Sequence, residues 1–274
     1  MKILCPVDFS EEGINGMEYA SRLAQNLNAT LTLVNVQKLS IGEGMTMFAG
    51  GERESHKLAS EASDLLADYC NDIRLTFNVE ADYIVMTSMN TVENCINDVG
   101  HEYNLIVIGT NGVQEFSSFY LGTHSFRVSK NAKTPVLIVP IDSTFKPMLE
   151  VVYATDYDMN DNQLLQHLQF VIKNFKARLK LIHVSGKEIA VSEEVFNSFK
   201  RELEDKLNDN PRISFKRLVS DHIIEKLEAI VEGKDVDMLV VCFEKHSLPY
   251  RLTHRNLIRE LTSDPKIPVL VFQK

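Results

Sequence analysis

Short apolar runs alternate along the chain with longer stretches of helical period. In the first half such runs lie near 2–8, 31–36, 105–108 and 135–139. Apolar residues in the stretches between them recur every three or four positions, as they do on one face of a helix. This alternation predicts βαβ units in which a parallel sheet is covered by helices on both faces. Five strands fit each half of the chain.

Capping residues mark where the predicted helices begin and end. Ser10 is the expected N-cap of the first helix, and Asn28 is its expected stop. A second helix has its inner face within 58–69, a third begins at Thr91, and a fourth follows Gly122. The corresponding helices of the second half are predicted near 160–175, 191–208, 221–232 and 252–262.

The order of these runs repeats within the chain. Residues 2–8 and 150–156 are both apolar runs that end in Asp, and residues 104–139 align with 237–272 at a constant offset of 133. Such internal similarity predicts two homologous domains. We therefore expect an α/β protein with two tandem open, five-stranded parallel sheets, in domains 1–143 and 148–274.

Composition and length exclude several classes of protein. Of 274 residues, 44% are hydrophobic and 24% are charged, which excludes disorder. No apolar run approaches the roughly 20 residues of a membrane helix. Asp8 interrupts the apolar start that a signal peptide needs. Four widely spaced cysteines suggest buried thiols rather than a zinc site or a disulfide framework. A cytoplasmic location is therefore expected.

The charge balance is acidic and unevenly distributed. The net charge is −9. Residues 1–148 hold 18 acidic and 10 basic residues, a net of −8, whereas 149–274 hold 20 and 19, a net of −1. Nucleic-acid binders need a basic surface to displace counterions from phosphates, so nucleic acid is not expected as a partner.

Glycines cluster after the fourth predicted strand. Gly109 and Gly112 are separated by two residues, and Gly122 follows after nine more at the start of a helix. Glycines allow backbone amides to approach a ligand closely, and a helix N-terminus favours an anion. Thr123 and Ser125 add hydroxyl donors. A phosphate chain is the anion that fits several amides without a lysine, although turns also use glycine routinely.

This spacing resembles the nucleotide-binding signature of the ATP-binding universal stress proteins. That signature is Gly, two residues, Gly, nine residues, Gly, then Ser or Thr, and 109–123 match it in full. Residues 6–10 resemble the first strand and loop of the family, and 33–36 resemble its second strand. The resemblance covers the whole chain as a tandem pair, and it implies a Rossmann-like fold of the adenine nucleotide alpha hydrolase type.

The resemblance also implies which residues hold the nucleotide. Residues at the ends of the first two strands would contact adenine and ribose, and residues of the glycine loop would hold ribose and phosphates, with or without Mg²⁺. The full set of implied ligand-binding residues is Pro6, Val7, Asp8, Val36, Ile108, Gly109, Asn111, Gly112, Gly122, Thr123, His124 and Ser125. Asp8 has a second interpretation as a helix cap, and His124 needs only its backbone amide to bind a phosphate.

The second half departs from the signature. At the offset of 133, Gly109 becomes Cys242, Gly112 becomes Lys245, Gly122 becomes Arg255 and Thr123 becomes Asn256. Side chains at these places block close backbone approach, so the same nucleotide pose is not expected there. A different anion site remains one interpretation, and a solvated or salt-bridged face is the other. The basic residues in question are Lys245, Arg251, Arg255 and Arg259.

Residues 41–51 have no counterpart in the second half. They hold four glycines together with Met45, Met47 and Phe48, which predicts a loop after the second strand. Such a loop either covers a bound nucleotide, packs on a partner, or is a plain insertion.

Three functions follow from these features. The first is an ATP-binding regulatory or stress-response protein without catalysis. The second is a slow ATPase or nucleotidyl-transferring enzyme, for which the sequence provides no catalytic motif, no P-loop lysine and no metal-ligand set. The third is a nucleotide-free scaffold. The resemblance also implies that the last strands of the two halves, 136–139 and 269–272, pair with each other. One chain would then be a pseudo-dimer, and a further homodimer is an open alternative.

Overall fold

The computed structural model describes residues 1–38, 50–110, 124–155, 162–186, 192–207, 210, 212–233, 236–243 and 267–273. The chain divides into two compact units, Met1–Phe145 and Lys146–Lys274. Within the described ranges, no helix is both long and apolar enough to cross a membrane.

The first unit alternates strands with helices. Its strands are β1 (Lys2–Pro6), β2 (Thr30–Lys38), β3 (Ala81–Ser88), β4 (Leu105–Thr110) and β5 (Val136–Pro140). Its helices are α1 (Glu11–Leu27), α2 (Gly50–Phe77), α3 (Val92–Gly100) and α4 (His124–Asn131). The strands are all parallel and lie in the order β3-β2-β1-β4-β5. The predicted α/β class with parallel strands is therefore confirmed.

The strand order reverses between β1 and β4. Chain order runs outward from β1 to β3 in one direction, and then from β4 to β5 in the other. Right-handed crossovers consequently place α1 and α2 on one face of the sheet, and α3 and α4 on the other. In open sheets of this kind the reversal point, at the carboxyl ends of the strands, is where ligands bind.

Local sequence signals set the helix ends as predicted. The Ser10 hydroxyl accepts a hydrogen bond from the Gly13 amide at 3.1 Å, and α1 ends at Asn28 in the left-handed conformation, with a φ of 49°. Thr91 caps α3 through the Asn94 amide at 3.3 Å. Helix α2 is longer than the sequence predicts, because Gly50 and its neighbour already belong to it; residues 41–49 lie outside the described part.

The strands near the reversal point form the core of the first unit. Four consecutive residues of β4, 105–108, are buried, and so is every residue of β5. Such strands are covered on both faces, which is why their sequence is continuously apolar rather than alternating.

The second unit repeats this arrangement. Its strands are β6 (Glu150–Ala154), β7 (Arg178–Ser185), β8 (Ile213–Val219), β9 (Met238–Phe243) and β10 (Val269–Gln273). The order is β8-β7-β6-β9-β10, again parallel. Its described helices are α5 (Asn162–Phe175), α6 (Glu193–Lys206) and α7 (Ile223–Val231). The helix predicted near 252–262 lies outside the described residues.

Candidate functional site

The turn that follows β1 exposes a carboxylate. Asp8 is exposed, and its Oδ1 accepts hydrogen bonds from the backbone N–H of Ser10 at 3.1 Å and from the Ser10 hydroxyl at 2.5 Å. Ser10 in turn caps α1. Asp8 therefore supports the cap from two residues before it, and its position at the strand end leaves the carboxylate open to solvent. The capping and ligand-binding interpretations of Asp8 are compatible.

Phe9 shapes the same turn through its backbone. It adopts a φ of 63°, a conformation that residues with a side chain rarely take. Its ring lies 6.4 Å from that of Tyr69 on α2, with the ring planes 24° apart. The stacking is a tertiary contact that stabilises this left-handed residue in the turn between β1 and α1.

A side chain completes the pairing at the end of β1. The Val7 amide donates to Val34 O at 2.9 Å, which continues the β1–β2 ladder by one bond beyond Pro6. Val7 O then accepts from Nδ2 of Asn35 at 2.8 Å, and within this described part of the chain it accepts no hydrogen bond from the Val36 N–H. The ladder therefore ends in a side-chain bond.

The backbone of Val36 consequently faces the space beyond β1. In a parallel ladder, residues two apart present their N–H and C=O to the same neighbouring strand. Val34 presents its carbonyl to β1, so Val36 presents both groups to that side, past the last residue that pairs there. One N–H donor and one C=O acceptor thus lie side by side at the carboxyl end of the sheet.

Close packing at the end of β4 depends on two glycines. A Cβ on Gly109 would lie 1.9 Å from Glu12 O, and one on Gly16 would lie 2.6 Å from the Gly109 nitrogen. Helix α1 therefore packs against β4 through backbone rather than through side chains. This gives the first glycine of the predicted loop a role in packing, in addition to the predicted role in ligand approach.

A buried carboxylate links α3 to the start of α4. Glu93 has a side chain 7% exposed, and its Oε1 lies 2.9 Å from Nδ1 of His124 and 3.4 Å from a guanidinium nitrogen of Arg127. Burial alone would raise the pKa of Glu93. Its own backbone N–H, the His124 charge and the hydroxyl of Thr91 outweigh burial and hold the pKa below its usual value.

The thiol beneath the site is not reactive. Burial, followed by the charge of Asp8, raises the pKa of Cys5 to about 12. The thiol therefore stays protonated and serves as a core residue of β1. Among the described residues, no group of three or more His, Cys, Asp and Glu side chains is arranged to hold a metal ion.

The structure brings half of the predicted ligand-binding residues to one edge of the sheet. Residues 6–8 end β1, Val36 lies near the end of β2, and Ile108 and Gly109 lie near the end of β4. His124 and the buried Ser125 begin α4. The remaining predicted residues, Asn111, Gly112, Gly122 and Thr123, lie outside the described part of the chain.

Comparison with known protein families matches residues 1–140 to the universal stress protein family. That stretch is half of the chain, and it includes every strand that forms the candidate site. The chain belongs to the universal stress protein family. A search of curated proteins finds no match.

Solved structures share the fold over nearly the whole chain. A universal stress protein from Archaeoglobus fulgidus matches with a TM-score of 0.76 and 17% identity, covering 99% of this chain and 98% of that one. A candidate universal stress protein from Pseudomonas aeruginosa matches with a TM-score of 0.58 and 13% identity, covering 99% and 92%. At these identities the likeness establishes the fold alone. The family match ends at residue 140, so membership of the second unit stays a prediction.

The second unit keeps part of the strand-end geometry of this universal stress protein. Thr155 donates its amide to Ile182 O at 2.9 Å, and Nδ1 of His183 lies 2.8 Å from Thr155 O. These residues stand 148 positions after Val7, Val34 and Asn35. The described part therefore repeats the side-chain bond at the end of the first strand. Asp156 and the basic residues predicted as an alternative anion site lie outside it.

The sequence alone does not identify three residues of the site. Gly16 and Asn35 lie inside a helix and a strand whose patterns are otherwise ordinary, and Glu93 is one of many acidic residues of the first unit. Their importance comes from contacts between distant parts of the chain. The one signal that the sequence gives is a polar residue between two apolar β-branched residues, in Val34-Asn35-Val36 and again in Ile182-His183-Val184.

Proposed function

We propose that this universal stress protein binds ATP in its first unit and acts as a regulatory or stress-response protein rather than as an enzyme. Adenine would lie against the ends of β1 and β2, and the phosphates would lie at the start of α4, in contact with the glycine loop. Nucleotide occupancy would then alter the affinity for a partner.

The free backbone edge of Val36 is the observation that carries this proposal. Adenine presents an acceptor at N1 beside a donor at its 6-amino group. An adjacent N–H and C=O on one strand complement that pair, whereas guanine has N1–H and O6 at the same places. Backbone groups at the ends of strands are preferred ligand contacts in sheets of this type.

Asp8 and the signature of the glycine loop support the same assignment. The Asp8 carboxylate is exposed beside this edge and is able to accept a hydrogen bond from a ribose hydroxyl. In the sequence, the glycine loop connects β4, which borders the reversal point, to the N-terminus of α4, where phosphate is favoured. The first 148 residues have a net charge of −8, so we expect Mg²⁺ to assist binding by neutralising phosphate charge.

The proposal is tested by titrating nucleotide-stripped protein with Mg-ATP in a calorimeter. We expect one site per chain, no turnover, and loss of binding in Gly122→Arg, which copies the second half. Circular dichroism and a thermal melt establish that the variant folds.

Each other outcome contradicts part of the proposal. Two sites per chain would show that the second unit also binds. Steady release of ADP or AMP would favour the enzymatic alternative. A folded protein that binds no nucleotide would favour the scaffold, and unchanged affinity in Gly122→Arg would refute the placement of the phosphates.

A further inference from the structure

The end of the β1–β2 ladder depends on a single side-chain amide. Nδ2 of Asn35 donates to Val7 O at 2.8 Å, within a residue that is 6% exposed. We propose that Asn35 is a positioning residue for base recognition, because it donates to the Val7 carbonyl in place of the Val36 N–H and so leaves that N–H to the ligand. The inference rests on the proposed function and names a specificity determinant of that site.

Parallel-sheet geometry explains what Asn35 prevents. Val34 O accepts from the Val7 amide, so the next ladder bond in sequence would run from the Val36 N–H to Val7 O. Forming that bond would extend β1 by one step and consume the donor that faces adenine N1. With Nδ2 of Asn35 on Val7 O, the ladder ends one bond earlier and the donor stays available.

The burial of Asn35 is costly in itself. Its Oδ1 is buried and has no hydrogen-bond partner among the described atoms. A buried acceptor without a partner is unfavourable, and an apolar residue that let the backbone ladder continue would avoid the penalty. The bond from Nδ2 to Val7 O is therefore kept at the expense of a buried Oδ1 without a partner.

The second unit provides an independent instance of the same bond. Nδ1 of His183 lies 2.8 Å from Thr155 O, so this nitrogen carries the proton and donates. Asn and His share little except a short side chain with an N–H donor at a similar reach. Their occurrence at equivalent places indicates that the requirement is a donor to this carbonyl rather than a particular residue.

The test compares ATP and GTP binding by the full chain with variants at position 35. Asn35→Val removes the donor and suits a strand, whereas Asn35→Asp keeps the shape of asparagine without an N–H. Asn35→His copies the second unit. His183→Val removes the equivalent bond there and is the matched control.

We expect Asn35→Val and Asn35→Asp to weaken ATP binding about tenfold, the loss of one hydrogen bond, while GTP affinity stays within about threefold. The preference for ATP over GTP therefore falls. Asn35→His is expected to bind ATP and GTP with the affinities of the unaltered protein, and His183→Val is expected to change neither affinity. Thermal melts of the valine variant should show no loss of stability, which separates positioning from a structural role.

The outcomes distinguish this inference from the function on which it rests. Absence of ATP binding in the unaltered protein removes the proposed function and the inference together. ATP binding that is equally strong and equally selective in the valine and aspartate variants removes the inference alone. Equal weakening of ATP and GTP in step with a lower melting temperature would assign Asn35 a structural role.

Discussion

At the scale of single residues, the two units satisfy the same backbone groups with different side chains. Oδ1 of Asn104 accepts the Lys2 amide at 2.8 Å at the start of the first unit. At the equivalent place in the second unit, Oδ2 of Asp237 accepts the amides of Leu149 and Glu150, each at 2.9 Å. The carboxylate satisfies two donors where the amide satisfies one.

Asp237 also makes the stability of the second unit depend on pH. Burial alone would raise its pKa, but the hydrogen bond from Lys146, the two backbone amides and the Lys146 charge lower it below the usual value. Asp237 therefore binds a proton more readily in the unfolded chain than in the folded one. Its contribution to the free energy of unfolding is fully present above the ordinary aspartate pKa of about 3.9, and it is lost as pH falls through the lower pKa of the folded state.

We expect Asp237→Asn to lower the free energy of unfolding at pH 7 by about 1–2 kcal/mol, because one charged hydrogen-bond network is weakened. The decrease in stability between roughly pH 5 and pH 3 should also become shallower than in the unaltered protein. Urea unfolding across this pH range measures both effects. Asp205→Asn, which removes one charge at an exposed position of the same unit, is the control. An unchanged slope below pH 5 would contradict the assignment.

At the scale of elements, α1 and β4 meet through backbone atoms. Gly16 and Gly109 permit this approach, and at the corresponding places the second unit has Leu164 and Cys242. Both glycines are thus replaced by residues with side chains, and the first helix of the second unit cannot approach its strand in the same way. The loss of one glycine is consistent with the loss of the other. If only one position kept its glycine, the Cβ of the other residue would still lie between the helix and the strand.

Gly16→Ala is expected to destabilise the protein by about 1–3 kcal/mol, because the added Cβ meets the backbone of Gly109 and no flexible side chain is able to yield. In an unobstructed helix the same substitution stabilises by about 1 kcal/mol, so the sign of the change is the test. Denaturant unfolding measures it. Glu18→Gln, on the exposed side of α1, should stay within about 0.5 kcal/mol. A stabilised Gly16→Ala would show that α1 moves aside without cost.

Local signals explain why the sequence predicts the elements well. Ser10, Asn28 and Thr91 act within one helical turn, so their effects are visible in a short stretch of sequence. The site is less predictable for the converse reason. Asn35 acts on a carbonyl 28 residues earlier, and Glu93 holds a histidine 31 residues later. Only the tertiary fold brings these partners together. A separation of 28 or 31 residues between two partners is not a recognisable sequence motif.

At the scale of the whole molecule, the two units have the same parallel strand order but differ in sequence at the glycine signature. Both keep the side-chain bond at the end of the first strand, through Asn35 and His183. The glycine signature is intact in the first half and lost in the second. The side-chain bond at the strand end has therefore been retained in both units, whereas the glycine signature has not. If the first unit binds nucleotide as proposed, the two units should respond to it differently.

Hydrogen exchange measured by mass spectrometry tests this asymmetry. Saturating Mg-ATP should slow exchange in peptides that cover 5–10 and 33–38, where the proposed contacts lie. At an ATP concentration of about 100 times Kd, binding stabilises the folded protein by about 2.7 kcal/mol. Amides that exchange only when the bound site opens should then exchange about a hundredfold more slowly. Peptides covering 153–155 and 181–186 should not change, and Gly122→Arg should remove the effect from the first unit. Equal protection of both units would contradict the asymmetry, because a unit without the glycine signature would then hold nucleotide as well as one that has it.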